Sequence, residues 1–148
     1  MRISGVEVRR YAIAYDPPFR AAWDPVPRAT QEADLVAVHT DAGLTGYASG
    51  DRLPDAAVLE RLLVGLDPRR TEVVRELCET VDLHGARPWT VEVAVWDLVG
   101  RTLDEPLWRH LGGSQDRILA YASTGELVPA DERVRRTADP NRCRVFDF

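Results

Sequence analysis

Three consecutive segments decide the fold of this 148-residue chain: Ala94-Val-Trp-Asp-Leu-Val-Gly-Arg101, then Pro106-Leu-Trp-Arg-His-Leu-Gly-Gly113, then Arg117-Ile-Leu-Ala-Tyr-Ala-Ser123. The first continues a helical pattern that Pro88 opens, and the second predicts a short helix that Gly112-Gly113 closes. The third is typical of a strand. The inward face of the long helix is predicted to hold Val91, Ala94, Val95, Leu98 and Val99.

Strand patterns fill the first fifty residues. Alternating apolar positions over residues 3–13 predict a strand, with a bulge where the alternation slips near Arg9-Arg10. Residues 34–40 predict a second strand and residues 44–48 a third. The tight turn Asp41-Ala-Gly43 joins these two. The economical interpretation is a three-stranded antiparallel meander.

Prolines interrupt this strand region between the first and second strands. Asp16-Pro-Pro and Asp24-Pro-Val-Pro predict an irregular segment of about fifteen residues. This segment carries three aromatic side chains that are large for a loop, Tyr15, Phe19 and Trp23.

From Pro54 onward the apolar period becomes helical, so strands come first and helices afterwards. This order predicts an α+β domain. A short helix is expected to end near Gly65, and Asp67-Pro68 is expected to begin the next helix, which ends at His84-Gly85. The predicted inward residues of these two helices are Ala57, Val58, Leu62 and Leu63 in the first, and Val73, Val74, Leu77 and Val81 in the second, with Cys78 beside them as a small core residue.

Composition excludes several classes of protein and of mechanism. All 19 basic residues other than histidine are arginine, so a mechanism that needs a lysine base or a Schiff base is excluded for this chain by itself. Two cysteines are too few for a disulfide framework. The net charge of -5 argues against nucleic acid or a membrane surface as a partner.

No apolar run reaches the roughly 20 residues of a membrane span, and residues 1–10 do not resemble a signal peptide, so we expect a cytoplasmic protein.

Few residues suggest chemistry of their own. Asp97 and Arg101 are spaced for an ion pair on one helix face, which favours a structural role, and Gly100 between them suggests close packing. Asp51 and Arg52 begin an irregular segment after the third strand, where contacts to ligands are common, although a solvated turn is the simpler interpretation. The histidines are scattered and favour surface or capping roles over catalysis or metal binding: His39, His84 and His110.

The order and spacing of four segments resemble the mandelate racemase/muconate lactonizing enzyme family of the enolase superfamily. These segments are the hairpin at residues 36–47, the helix at 96–101, the cap at 106–113 and the strand at 117–123. The resemblance covers roughly residues 1–139. It implies an enolase-like N-terminal capping domain at residues 1–113, made of the meander and a helical bundle. Residues 114–148 would then be a truncated first β/α unit of a (β/α)8 barrel.

Members of this family abstract a proton next to a carboxylate and hold the resulting enolate on Mg²⁺. Two loops of their capping domain close over the barrel mouth and shape substrate choice. By position these loops resemble residues 15–29 and 49–55 of this chain. The resemblance therefore implies five substrate-lid candidates, Tyr15, Phe19, Trp23, Asp51 and Arg52.

The chain departs from the family pattern where catalysis should begin. A barrel needs about 250 residues, whereas 35 residues follow Gly113. The lysine and the three acidic metal ligands of the family are expected on barrel strands that these residues do not include. Residues 144–148 resemble the start of the second barrel strand, with Asp147 where a lysine is expected. This pattern predicts a truncated or frameshifted chain with no catalytic residue and no metal ligand of its own, and Mg²⁺ in full-length relatives.

Three functional hypotheses follow. The first is a capping-domain fragment of a racemase, dehydratase or cycloisomerase, inactive alone, whose small carboxylate substrate is bound only in a complete enzyme. The second is a non-enzymatic module that docks on a separately encoded barrel or a full-length homologue, which requires a large exposed apolar surface. The third is an unrelated small enzyme built around Asp51 and Arg52 or the histidines.

Overall fold

The computed structural model describes residues 1–50, 52–82, 88–118, 127–138 and 146–147. Its elements are β1 (Ile3–Phe19), β2 (Arg28–Thr40), β3 (Thr45–Gly50), α1 (Ala56–Leu63), α2 (Thr71–Asp82), α3 (Trp89–Leu103), α4 (Leu107–His110), β4 (Arg117–Ile118), α5 (Ala130–Thr137) and β5 (Phe146–Asp147). Three strands precede the first three helices, which confirms the predicted α+β class.

The first three strands form one antiparallel sheet in the order β1-β2-β3, as the meander predicts. The turn between β2 and β3 contains Gly43 with a φ of 78°, a left-handed conformation that glycine adopts without strain. The amide of Gly43 donates to the carbonyl oxygen of Thr40, which closes the turn.

The bulge predicted near Arg9-Arg10 is wrong, because both residues stay in register with β2. The register shift lies between Ile3 and Gly5 instead. One extra residue there puts Ile3 and Val6 on the same buried face although their spacing is odd. The alternation that seemed to slip near Arg9-Arg10 is a change of face along β1. Val6 lies on the buried face of the strand, whereas Tyr11 is exposed on the other face.

The irregular segment predicted for residues 15–29 is shorter than expected. β1 continues to Phe19 and β2 begins at Arg28, so only residues 20–27 lie between the strands. The prolines at 17 and 18 fall where the register shifts between Ala14 and Phe19. A missing amide hydrogen costs no ladder hydrogen bond there, and the strand therefore accommodates both prolines.

Helix α3 lies directly on β3, and two glycines allow this close approach. A Cβ atom on Gly46 would come within 2.1 Å of the carbonyl oxygen of Ala94. A Cβ atom on Gly50 would come within 2.4 Å of Cγ2 of Thr90. All five predicted inward residues of α3 are buried, so its predicted orientation is confirmed.

One hydrophobic core lies between the sheet and the helices. Cys78 is buried in this core as a free cysteine, which confirms its predicted role. The buried members of the core are Ile3, Val6, Val36, Val38, Leu53, Leu59, Leu63, Val74, Cys78, Val91, Ala94, Val95 and Leu98.

The inward face predicted for α1 is rotated by about one residue. Ala57 and Val58 are exposed, whereas Leu59 is buried together with the predicted Leu63. Leucine gains more from burial than alanine or valine because it removes more apolar area from water.

The predicted start of the second helix is also displaced. α2 begins at Thr71, and Asp67 instead accepts a hydrogen bond from the backbone amide of Arg69, 3.0 Å away. Asp67 therefore closes a separate turn before the helix. Of the predicted stripe on α2, Val74 is buried and Val73, Leu77 and Val81 are half-buried.

The strand pair near the chain's last residues does not have barrel geometry. β4 and β5 pair antiparallel, whereas neighbouring strands of a (β/α)8 barrel run parallel. The assignment of residues 114–148 to the start of a barrel stays a prediction. The rest of the predicted strand at 117–123 lies outside the described residues beyond Ile118.

Substituting Gly46→Ala is expected to lower the free energy of unfolding by about 2 kcal/mol or more, because α3 must move away from β3. Urea unfolding followed by circular dichroism measures this loss. Gly5→Ala is the matched control on the same sheet, since the nearest atoms to its Cβ lie at 4.0 Å. Equal losses in the two variants would contradict the packing described for α3.

Candidate functional site

Both segments that the sequence singled out leave the sheet at the same end. The register places Arg10, Asp34 and Gly50 in one row across the three strands. β3 ends at this row, whereas β1 and β2 continue past it as a two-stranded hairpin. Six residues of β2 precede Asp34, so the hairpin extends about 20 Å beyond the row. We call this the hairpin end of the sheet.

The hairpin brings two of the predicted aromatic residues together. The rings of Tyr15 and Phe19 lie 5.8 Å apart between centroids, and the Tyr15 hydroxyl donates to Oε1 of Gln31 at 3.4 Å. Both aromatic side chains are half-buried. Trp23 is separate from this pair and has 71% of its surface exposed.

Two contacts hold the hairpin tip, which we define as residues 20–27. Arg28 and Asp24 form an ion pair at 2.8 Å across its base. The amide of Leu127 donates to the carbonyl oxygen of Arg20 at 2.7 Å, which connects the tip to the segment before α5. The tip is therefore joined to a part of the chain more than one hundred residues away in sequence.

The segment predicted at 49–55 begins two residues later than expected, since Ser49 and Gly50 belong to β3. Asp51, one of the predicted candidates, lies outside the described residues. Arg52 is exposed, and the next residue, Leu53, is buried. We call residues 52–55 the post-β3 segment.

The buried carboxylate of Asp34 connects the post-β3 segment to the sheet, and the sequence reasoning missed this role. Its side chain is only 2% exposed. Oδ1 accepts from Nε of Arg10 at 3.0 Å, and Oδ2 accepts from Nη2 of Arg10 at 3.3 Å and from the amide of Leu53 at 2.8 Å. The Arg10 guanidinium, supported by the Leu53 amide, holds the pKa of Asp34 below its usual range despite burial.

One feature of the sequence points weakly to this group of residues, Arg10, Asp34 and Leu53. Asp34 opens an otherwise apolar strand, and a charged residue in such a position calls for a partner. The partner, Arg10, becomes visible only when the register of β1 and β2 is known.

The predicted ion pair between Asp97 and Arg101 is confirmed as a structural contact, with 2.9 Å between Oδ2 and Nε. The same carboxylate oxygen accepts from the amide of Tyr47, also at 2.9 Å. Asp97 thus satisfies a backbone donor of β3, and Arg101 lies over the Tyr47 ring. Gly100 does not mark close packing, because a Cβ atom there would meet its nearest neighbours at 3.8 Å.

The described histidines lie on the surface and make local contacts. His39 is half-buried, 3.8 Å from Glu7, and its Nδ1 lies 3.0 Å from the hydroxyl of Thr45. His110 lies 3.6 Å from Glu105, and His84 is outside the described residues.

Within the described ranges no three histidine, cysteine or acidic side chains are grouped so as to hold a metal ion. The described residues therefore offer no group of ligands that fits Mg²⁺.

A large cavity among the described residues lies away from the hairpin end. It is an open groove of about 760 Å³ between α3 and α4, on the face of α3 that points away from the core. None of the predicted lid candidates lines it. Its apolar lining includes Val93, Trp96, Leu107 and Leu111.

Curated relatives and a solved structure resemble this chain over most of its length. The hydrophobic dipeptide epimerase of Enterococcus faecalis is 24% identical over 98% of this chain and 46% of its own length. The cis-3-hydroxy-L-proline dehydratase of Roseibium aggregatum is 30% identical over 66% of this chain and 31% of its own. The crystal structure of the Enterococcus faecalis epimerase, complexed with Mg and L-Leu-L-Tyr, has a TM-score of 0.75 at 22% identity and covers 92% of this chain and 41% of its own. No family model matches the chain.

These relatives and structural neighbours point to the enolase superfamily, with its dipeptide epimerases and mandelate racemase-like enzymes. They confirm the resemblance found in the sequence, and the fold agrees with an N-terminal domain of that superfamily. The chain spans less than half the length of the curated relatives described above. None of the helices in the described ranges is long and apolar enough to cross a membrane.

Trp23→Phe is expected to lower acrylamide quenching of tryptophan fluorescence more than the same change at any other tryptophan. The reason is its exposure of 71%, compared with 43% for Trp89 and half-buried rings for Trp96 and Trp108. Stern–Volmer constants of the four single variants measure this order. A Trp108→Phe variant that lowered quenching as much would contradict the greater exposure of Trp23.

Proposed function

We propose that this chain is the capping and substrate-lid domain of a mandelate racemase-like, Mg²⁺-dependent, carboxylate-enolising enzyme, a racemase, dehydratase or cycloisomerase. The observation that carries the proposal is that the two candidate segments leave the sheet at the same end. The hairpin tip and the post-β3 segment both leave the sheet at the hairpin end. Segments on one end of a rigid sheet can close together over a site and exclude water from it.

The side chains at this end suit a lid. Tyr15 and Phe19 pack against each other and stiffen the hairpin below its tip. Trp23 presents a large apolar surface to the surroundings, and Arg52 presents an exposed positive charge. In the proposed enzyme Trp23 covers apolar parts of the substrate, while Arg52 and Asp51 act on its polar groups.

The contact between Leu127 and Arg20 supports this placement. The resemblance identifies residues 117–123 with the first barrel strand, so Leu127 follows the carboxyl end of that strand. Active sites of such barrels lie at the carboxyl ends of the strands. A hairpin tip bonded just beyond one of these ends would lie beside the active site.

The catalytic groups belong, in this proposal, to barrel residues that the 148 residues do not include. The chain contains no lysine to act as a base, and the described part of it has no metal-binding group of three or more ligands. The lid contributes binding and exclusion of water, and the barrel contributes the base and the Mg²⁺ ligands. A cytoplasmic location remains part of the proposal.

The purified 148-residue chain is expected to show no enolisation of carboxylate substrates. The assay incubates it with Mg²⁺ in D₂O and follows deuterium incorporation next to the carboxylate by NMR, using dipeptides and sugar acids. The Enterococcus faecalis epimerase serves as the positive control for dipeptides. Deuterium incorporation that copurifies with the chain would overturn the assignment of catalysis to other residues.

A chimera tests the lid role directly. The matching part of the Enterococcus faecalis epimerase is replaced by this chain, and epimerisation is measured with Trp23→Ala. We expect KM to rise roughly fivefold, about 1 kcal/mol of binding, because the tip no longer covers the substrate. Val64→Ala is the matched control, since Val64 is an exposed apolar residue beside Gly65, which bonds to Ile3 at the opposite end of the sheet. Equal effects of the two substitutions would contradict the lid role.

A second candidate keeps the capping role and changes the partner: the chain docks on a separately encoded barrel or a full-length homologue. The groove between α3 and α4 favours it, because it leaves a broad apolar surface exposed. Size-exclusion chromatography of the chain, alone and mixed with the barrel part of the epimerase, separates the two candidates. A chain that remains a monodisperse monomer in both samples counts against this second candidate.

A further inference from the structure

Asp34 joins three separate parts of the chain at the hairpin end. It belongs to β2, it pairs with Arg10 on β1, and it accepts the amide of Leu53 in the post-β3 segment. A buried carboxylate is costly unless its oxygens are bonded, and here both oxygens are. The two bonds from Arg10 keep the group charged, and the third bond fixes a backbone position.

The geometry shows that the chain folds back at this point. Gly50 lies opposite Asp34 in the sheet register, and three residues later Leu53 bonds to the side chain of the same Asp34. Leu53 therefore stays beside the middle of β2, next to the row where β3 ends. The side chain of Leu53 is buried in the core, so this residue is held both by its amide and by its side chain.

We propose that Asp34 is a positioning residue that holds the post-β3 segment at the hairpin end through Leu53, with two hydrogen bonds from Arg10 fixing the orientation of the carboxylate. Its meaning for the enzyme rests on the proposed lid function, but the contact itself does not. By holding Leu53, Asp34 also fixes the positions of Arg52 before it and Asp55 after it. Loss of the carboxylate weakens the hold on the Leu53 amide and leaves the buried Leu53 side chain, the sheet and α3 in place.

The competing interpretation is that the ion pair only adds to the stability of the whole domain. The two interpretations predict faster hydrogen exchange at different backbone amides. Loss of a local contact raises hydrogen exchange at Leu53 alone, whereas loss of global stability raises exchange at core amides as well. Hydrogen exchange therefore separates positioning from general stabilisation.

The test compares backbone amide exchange by NMR in the unmodified chain and in Asp34→Asn. Leu53 exchange is expected to rise about tenfold, because the neutral asparagine side chain is a weaker acceptor than the carboxylate, with Val38 and Leu98 unchanged. Asp67→Asn is the matched control, because Asp67 also accepts from an arginine side chain and a backbone amide, both of Arg69, outside the hairpin end. It should leave Leu53 unchanged. An equal rise at Leu53, Val38 and Leu98 in Asp34→Asn, or no rise at Leu53, overturns the proposal.

A pH series on the unmodified chain keeps the proposal testable if Asp34→Asn does not fold. Because the folded pKa of Asp34 is lowered, the contact is complete above the ordinary carboxyl pKa of about 4 and is lost as pH falls through the lowered value. Leu53 protection, corrected for intrinsic exchange, should fall at a higher pH than Leu98 protection. Simultaneous loss at both amides contradicts local positioning. The charged groups around the pair that set its titration are Arg10, Arg52, Asp55 and Glu32.

Failure of this inference and failure of the lid function give different results. In the epimerase chimera, Asp34→Asn should raise KM together with Leu53 exchange if both hold. A rise in exchange with an unchanged KM would leave the positioning role intact and contradict the lid function. A raised KM with unchanged Leu53 exchange would contradict the positioning role.

Discussion

Helix α3 lies so close to β3 that side chains at Gly46 and Gly50 would overlap its atoms, and most of the fold depends on this contact. The inward residues of α3 fill the center of the core between the sheet and the other helices. Asp97 then bonds to the amide of Tyr47, which satisfies a donor that the edge strand would otherwise leave open. One helix therefore packs on the face of β3 and also pairs one backbone donor of its free edge.

The two ends of the sheet differ in construction. At one end the tight turn around Gly43 closes β2 and β3, and the amide of Ile3 donates to the carbonyl oxygen of Leu66. At the hairpin end β1 and β2 extend past β3 as a two-stranded ribbon with exposed side chains. An isolated ribbon of this kind is only marginally stable in water. Two features support the ribbon. One is the hydrogen bond from Leu127, and the other is the row across the sheet that contains Asp34.

The predictions made from the sequence were correct where the local apolar pattern was clear and wrong where that pattern allowed more than one arrangement. The inward face of α3 was predicted correctly because five apolar residues recur at helical spacing along its 15 residues, although Val93 and Trp96 make part of its outer face apolar as well. α1 is short and apolar on several sides, so the burial of Leu59 in place of Val58 was decided by the core it meets. The bulge in β1 was misplaced because odd spacing reports that a shift exists but not which residue is extra. Of the five lid candidates, the structure brings Tyr15 and Phe19 together and leaves Trp23 and Arg52 exposed, whereas Asp51 is not among the described residues.

The sequence by itself determined the fold class, the resemblance to the enolase superfamily and the absence of a lysine base among these 148 residues. Each of these is a property of local pattern or of composition, so no knowledge of distant contacts was needed. Only the tertiary structure decided that Arg10, Asp34 and Leu53 meet. Their meeting depends on the register of β1 against β2 and on the turn after β3. Here the strands are joined by a long connection, residues 20–27, and β1 carries an extra residue between Ile3 and Gly5, so the alternating pattern alone did not specify their register.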